Sequence, residues 1–253
     1  MLSRQTSAAE HVRHGGWKMT IAVISFAASL IPSLAQAQSY QCRAPTLNQP
    51  AAPARKPADE PRRITPISGY TLAMSWSPEF CRLRKDDRRH KTQCSGDDGS
   101  FDFILHGLWP DAQGTNYPQW CRPAKALPPA IVKRNFCMIP STRLMSNEWA
   151  KHGTCMTKRP ETYFRISRIM FGAVAFPDMD RLSRKPLTVG TLRNAFAAAN
   201  DGLGPDMMRM KINRRGWLEE VRLCLSKSFR PQRCPGHMKA VKDDMPVKIW
   251  RGA

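Results

Sequence analysis

Acidic residues are scarce in this chain. Twenty Asp and Glu stand against forty Lys and Arg in 253 residues, a formal charge of +20. Such an excess attracts polyanions and raises encounter rates, although it specifies no chemistry. No Cys-x-x-Cys occurs and the cysteines are widely spread, which argues against a zinc site. Clusters of carboxylates or histidines that would hold a catalytic metal are also missing. No apolar run reaches the ~20 residues of a bilayer span. There is no internal repeat and no long low-complexity tract. What remains is a chain that is 42% hydrophobic, enough for a core in one large domain or two small ones.

The N-terminus reads as an export signal. Arg4, Arg13 and Lys18 precede a short apolar run from Met19 to Leu30, and Ala35-Gln36-Ala37 offers small residues at a cleavage site. Residues 1–37 are therefore expected to be removed. The alternative, a membrane anchor, needs a longer apolar run than this one. Cleavage takes away three basic residues and one acidic one, so the remainder keeps +18. Residues 38–67 are rich in Pro and Ala. Pro45, Pro50, Pro53, Pro57 and Pro61 fit neither a regular helix nor a central strand, which predicts an extended leader. A globular domain is expected over 68–253.

Eight cysteines, all beyond the signal, imply disulfides in an oxidising compartment. Too many pairings are open for spacing alone to fix them. Proximity favours Cys81–Cys94 and Cys224–Cys234. Tyr70–Trp76 reads as a first strand, and residues 84–100 as a charged loop. Phe101–His106 reads as a second strand, apolar on both faces and hence central, ended by Pro110. Residues 111–130 carry four prolines and read as loop. Helical patterning dominates from about 143 to 200. Pro160 opens one helix, and Thr191–Ala197 lies in another with Thr188 or Gly190 as its cap. Residues 217–225 alternate like a strand. The class is α+β: a central, mainly antiparallel sheet with helices packed on one side, stapled by disulfides.

Two blocks concentrate chemistry. The first is Phe103-Ile104-Leu105-His106-Gly107-Leu108-Trp109-Pro110. The second is Asn147-Glu148-Trp149-Ala150-Lys151-His152-Gly153-Thr154-Cys155. Read as a helix at about 100° per residue, the second block places Glu148, Lys151, His152 and Cys155 within roughly one 100° arc, with Asn147 beside it. A carboxylate, an ammonium, an imidazole and a tethering cysteine then share one face. His106 projects from the end of a buried strand, a rigid mount for an acid or base. Two histidines can form an acid–base pair near neutral pH, and a neighbouring lysine suits a reaction that develops negative charge. In a basic, exported chain this points to cleavage of a polyanion, RNA above all. Singly, each feature has a plainer reading: a structural histidine, a solvated Glu–Lys pair, core tryptophans. Their coincidence in two short blocks favours the chemical one.

His106-Gly107-Leu108-Trp109-Pro110 and Glu148-Trp149-Ala150-Lys151-His152-Gly153-Thr154-Cys155 closely resemble the two active-site blocks of the ribonuclease T2 family. The resemblance covers roughly residues 70–235; Trp76 and Phe80-Cys81, with Cys94, also fit the family's first disulfide loop. It implies a secreted, disulfide-bonded, largely base-nonspecific endoribonuclease that acts on single-stranded RNA as a monomer, without metal or other cofactor. By resemblance His152 is the general base on the RNA 2′-hydroxyl and His106 the general acid on the leaving 5′-oxygen. Lys151 neutralises the developing phosphorane charge and Glu148 tunes the site. Trp109, Asp111 and Tyr117 match base-contact positions in type and approximate spacing. Where some members carry a third, phosphate-contacting histidine, this chain has Asn147, which can donate a hydrogen bond but no charge. The family pattern also pairs Cys121 with Cys155, which leaves Cys42–Cys137 to staple the leader to the domain. The expected location is the periplasm or the medium, with no membrane association after signal cleavage.

Overall fold

The computed structural model describes residues 39–40 and 42–252; the signal segment expected over 1–37 lies outside the described residues. The strands in chain order are β1 (Ser39–Tyr40), β2 (Gly69–Trp76), β3 (Ser100–Phe101), β4 (Phe103–Asp111), β5 (Met208–Ile212) and β6 (Leu218–Leu225). The helices are α1 (Ser77–Cys81), α2 (Lys91–Cys94), α3 (Pro129–Asn135), α4 (Thr142–Glu148), α5 (Thr154–Met156), α6 (Pro160–Gly172), α7 (Met179–Ser183) and α8 (Val189–Ala199). A π-helical turn, Trp149–Gly153, joins α4 to α5. Thr188 caps α8 by accepting from the Thr191 N–H. The loop expected over 84–100 is partly helical, containing a 3-10 turn at Arg88–His90 and all of α2.

Four strands form one sheet in the order β4-β2-β6-β5, every pairing antiparallel. Strand alternation divides it into two faces. Leu72, Met74, Trp76, Phe103, Leu105, Leu108, Val221, Leu223 and Leu225 point into the core, all nearly fully buried. Aromatic side chains cover that face. Phe103 stacks on Phe176 at 4.8 Å and meets Phe196 of α8 edge-on at 5.8 Å. The opposite face carries Thr71, Ser75, Glu220 and Arg222.

Two expectations for β4 need correction. Pro110 does not end the strand, which runs on to Asp111 with Pro110 opposite Tyr70. Nor is the strand central: it is the edge of the sheet. The two facts share a cause, because a proline can sit on an edge strand, where one side needs no ladder donor. The apolar character that suggested a central strand comes from other cover. Leu105 N–H donates to Met138 O at 2.9 Å, and the Tyr163 hydroxyl bridges Leu108 N and O at 3.3 Å each. Those contacts occupy the edge that would otherwise be open.

The β2–β4 register shifts in the middle. Ala73 pairs with Gly107 and Met74 with Leu105, which leaves His106 as one extra residue on β4. This is a β-bulge, and its effect is one of parity. Unbroken alternation would put His106 and Trp109 on opposite faces. With the bulge, Leu105 and Leu108 both enter the core, while His106, Gly107, Trp109 and Asp111 share the other face.

Four disulfides staple the chain: Cys42–Cys137, Cys81–Cys94, Cys121–Cys155 and Cys224–Cys234. The leader is not held by Cys42 alone. Ala51 exchanges both backbone hydrogen bonds with Leu127, and Arg63 does the same with Gln119. Gln119 Nε2 donates to Pro61 O at 2.7 Å, and Arg62 Nη2 to Cys121 O at 3.0 Å.

The Cys42–Cys137 bridge spans 95 residues of sequence. Replacing both cysteines with serine is expected to cost about 2–4 kcal/mol, read as a lower urea midpoint. An unchanged midpoint would mean that the backbone bonds at Ala51 and Arg63 hold the leader unaided.

Candidate active site

The bulge and the π turn bring the two blocks together. Glu148 ends α4 and is only 2% exposed. Its Oε2 accepts from Trp109 Nε1 at 2.7 Å, and its Oε1 accepts from Asn147 Nδ2 at 3.3 Å. His106 Nε2 lies 3.9 Å from the same Oε1. Burial pushes the Glu148 carboxyl above the usual carboxylate range, partly offset by His106, Trp109 and Asn147. Gly107 makes room for this arrangement. A Cβ there would collide with Glu148 Oε2 and Trp109 Nε1, and would lie 2.9 Å from Glu148 Cδ.

The two histidines sit in opposite surroundings. His152 is 6% exposed, its Nδ1 has no partner among the described residues, and its ring is flanked by Trp109 at 5.5 Å and Tyr117 at 6.1 Å. Burial drives its pKa well below the usual 6.5, with Lys151 and His106 pushing the same way. The His106 side chain is 35% exposed and stands between two carboxylates. Its Nδ1 is 2.5 Å from Glu220 Oε2. Desolvation alone would lower its pKa. The Glu220 hydrogen bond and the charges of Glu148 and Glu220 outweigh that, and the net shift is upward.

Not all the expected residues converge. Asp111 lies one alternation beyond Trp109 and accepts from Thr71 Oγ1 at 2.7 Å; burial raises its pKa. The Tyr117 ring is covered on one side by the Arg63 guanidinium, 4.7 Å from its centroid. Lys151 lies in the π turn where the sequence reads as a regular helix, and it is paired outside the second block. Its ammonium reaches Glu60 of the leader, 2.9 Å from each carboxylate oxygen. Trp120 closes that contact into a ring: its Nε1 donates to Glu60 at 2.6 Å and its backbone N–H to Lys151 O at 2.7 Å.

Glu220, Ser75, Arg222 and Glu60 were not singled out from the sequence. Glu220 and Arg222 lie in the strand recognised at 217–225, on the side opposite its apolar residues. Nothing local distinguishes them from an ordinary solvated face.

The family model described as "Ribonuclease T2 family" matches residues 68–234. A "Ribonuclease" of Aeromonas hydrophila is 33% identical over 166 residues, 62% of this chain and 71% of that protein. A "Probable ribonuclease" of Haemophilus influenzae is 31% identical over 133 residues, so the match spans about half of each, 48%. Among solved structures, trichomaglin, described as an S-like ribonuclease, superposes with a TM-score of 0.57 at 20% identity. That likeness covers 72% of this chain and 97% of trichomaglin. RNase NT, solved with 5′-AMP, gives a TM-score of 0.53 at 20% identity, over 73% of this chain and 98% of RNase NT. These two likenesses establish the fold.

The packing at Gly107 can be tested directly. Gly107→Ala is expected to force Glu148 and Trp109 apart and to cost about 1–3 kcal/mol by overpacking, seen as a lower thermal midpoint. A variant as stable as the parent would show that the carboxylate and indole can move aside freely.

Proposed function

Because the chain belongs to the ribonuclease T2 family, we propose that it is an exported, monomeric endoribonuclease that cleaves single-stranded RNA with low base specificity. The observation that carries this reading is the opposed environment of two histidines on one side of the sheet. One is buried among aromatics, which favours its neutral form; the other is set between carboxylates, which favour its charged form.

Neutral His152 takes the proton from the RNA 2′-hydroxyl. The 2′-oxygen attacks the adjacent phosphorus, and the bond from phosphorus to the 5′-oxygen breaks. Protonated His106 delivers its proton to that leaving oxygen from Nε2, since Nδ1 is taken by Glu220. The products are a 2′,3′-cyclic phosphate and a free 5′-hydroxyl. Water then opens the cyclic ester to a 3′-phosphate with the two roles reversed. Lys151 supplies positive charge for the pentacoordinate phosphorus as it forms, and Glu148 fixes the Trp109 indole and biases His106 toward its charged form. Trp109, Asp111 and Tyr117 contact the base, and Asn147 the phosphate. Stacking on aromatic rings accepts every base, which suits low specificity. The nucleophile belongs to the substrate, so DNA resists and no metal is needed. Export rests on residues 1–37; no helix among the described residues is long and apolar enough to cross a membrane.

Digestion of bulk RNA in excess chelator tests the reading, with end-group analysis of the products. His106→Ala and His152→Ala are each expected to lower kcat/KM by about 10²–10⁴-fold. Undiminished cleavage by either variant, loss of activity to chelator, or binding without turnover would overturn it. The pH profile follows from the two shifts. Activity rises with pH as His152 loses its proton, and that limb lies below 6.5 because the His152 pKa is lowered. Activity falls as His106 loses its proton, and that limb lies above 6.5 because the His106 pKa is raised. The expected curve is a broad optimum from acidic to neutral pH, and a rate that climbs steadily into alkali would contradict the pair.

A further inference from the structure

Glu220 sits where nothing in the two blocks would place a carboxylate. It is 2% exposed, on β6, two strands away from His106. Every polar contact it makes serves the same small region. Its Oε2 lies 2.5 Å from His106 Nδ1 and accepts from Ser75 Oγ at 3.2 Å; Oε1 accepts from Arg222 Nε at 2.6 Å. The Ser75 hydroxyl is itself 3.5 Å from His106 Nδ1. Burying an ion is costly unless it is paired and hydrogen-bonded, and here both oxygens are engaged. The hydrophobic core does not use this side chain, because Val221 and Leu223 face the opposite side of the sheet. The bulge at His106 brings the imidazole to it.

We propose that Glu220 is the positioning residue of the general acid: it holds His106 in one ring orientation with the proton-delivering Nε2 turned to substrate, and it keeps that acid loaded. The role rests on the proposed acid function of His106.

The geometry supports both halves. A carboxylate on Nδ1 fixes that nitrogen as an N–H, which leaves Nε2 as the atom that gives and regains the transferable proton. Its negative charge favours the imidazolium needed in the first step and formed again in the second. Arg222 keeps the dyad from collapsing into a neutral pair. Its Nε occupies the second oxygen, and its guanidinium lies 5.1 Å from the Trp109 ring centroid, so it is anchored on the site's own aromatic. Glu220 therefore stays ionised, held at about 2 mainly by His106 and Arg222 against the cost of burial. Other charged groups also face His106. Glu148 of α4 favours its charged form, whereas Arg222 of β6 disfavours it. His152 on the π turn is also coupled to it. Glu220 is distinguished from all of these by direct contact with the ring.

The test is Glu220→Gln in the full chain, followed by two independent readouts. The first is an NMR titration of the His106 imidazole, assigned by its absence in His106→Ala. The second is the pH dependence of kcat/KM on a single-stranded oligoribonucleotide. Loss of the charge is expected to lower the His106 midpoint and to move the basic limb to lower pH by the same amount. The rate at neutral pH is expected to fall about ten- to hundredfold. Glu220→Asp, which keeps the charge but withdraws it by one methylene, is expected to fall between parent and Gln. It carries the same test should the Gln variant not fold. If only the melting temperature drops, while the His106 midpoint and the basic limb stay where they were, Glu220 is a structural residue and the proposal fails. The titration needs no turnover. A parent protein that does not cut RNA would sink the enzymatic reading, whereas an unmoved His106 midpoint would sink the dyad alone.

Discussion

One extra residue in the β2–β4 ladder decides where the chemistry can be. Strands alternate with a period of two, so a side chain's face is fixed by parity alone. Across β4 the core requires Phe103, Leu105 and Leu108, a series whose last step is odd. The bulge at His106 reconciles that series with a single buried face. It also sends His106, Trp109 and Asp111 to the other face, beside Thr71, Ser75, Glu220 and Arg222 from the neighbouring strands. The same edge position that tolerates Pro110 lets α4 and the π turn approach from outside the sheet. Glu148 and His152 can then meet the strand residues without crossing the core.

From that arrangement the electrostatics follow. His106 is mounted on the sheet beside two carboxylates and retains some contact with solvent, so the protonated form is favoured. His152 is packed between the π turn and the rings of Trp109 and Tyr117, where burial dominates and the neutral form wins. The adjacent Lys151 adds to the shift of His152, but the larger causes lie in how the chain packs. For His106 they are the carboxylates on β6 and α4, and for His152 burial itself. Two imidazoles with oppositely shifted pKa values are produced by how the elements dock.

Much of the fold was legible because it rests on local pattern. β2 and β6 were visible as alternation, Pro160 marked the start of α6, and Thr188 was one of two candidate caps for α8. The histidines, Glu148 and Lys151 stood out because two short blocks concentrated unlike chemical groups. The rest was illegible for physical reasons that can be named. Phe101–His106 reads as central because it is apolar on both faces, whereas its outer edge is covered by Met138 and Tyr163, which a local pattern does not reveal; nor does composition reveal the change of parity at the bulge. A helical projection assigns Lys151 a face but no partner, so it could not show the ammonium turning to Glu60, 91 residues earlier. Glu220 and Arg222 read as the solvent side of a strand because their partners lie in β2 and β4, more than a hundred residues earlier in the chain.

The leader was expected to be an extended tether, and its contacts show it to be part of the site's wall. Glu60 holds both N–H-bearing arms of one assembly: the Lys151 ammonium, and the Trp120 indole whose backbone in turn binds Lys151. Arg63 lies over the Tyr117 ring and donates to Tyr117 O at 2.9 Å. Cys121–Cys155 then ties the segment that receives the leader to the helix that follows His152. An anionic substrate that takes Lys151 as its cation must therefore share the ammonium with Glu60 or displace it. A base that stacks at Tyr117 meets a face already bearing a guanidinium. Charge at this end of the candidate site is set jointly by the second block and by a stretch some ninety residues before it, so the leader and the second block act as one electrostatic unit.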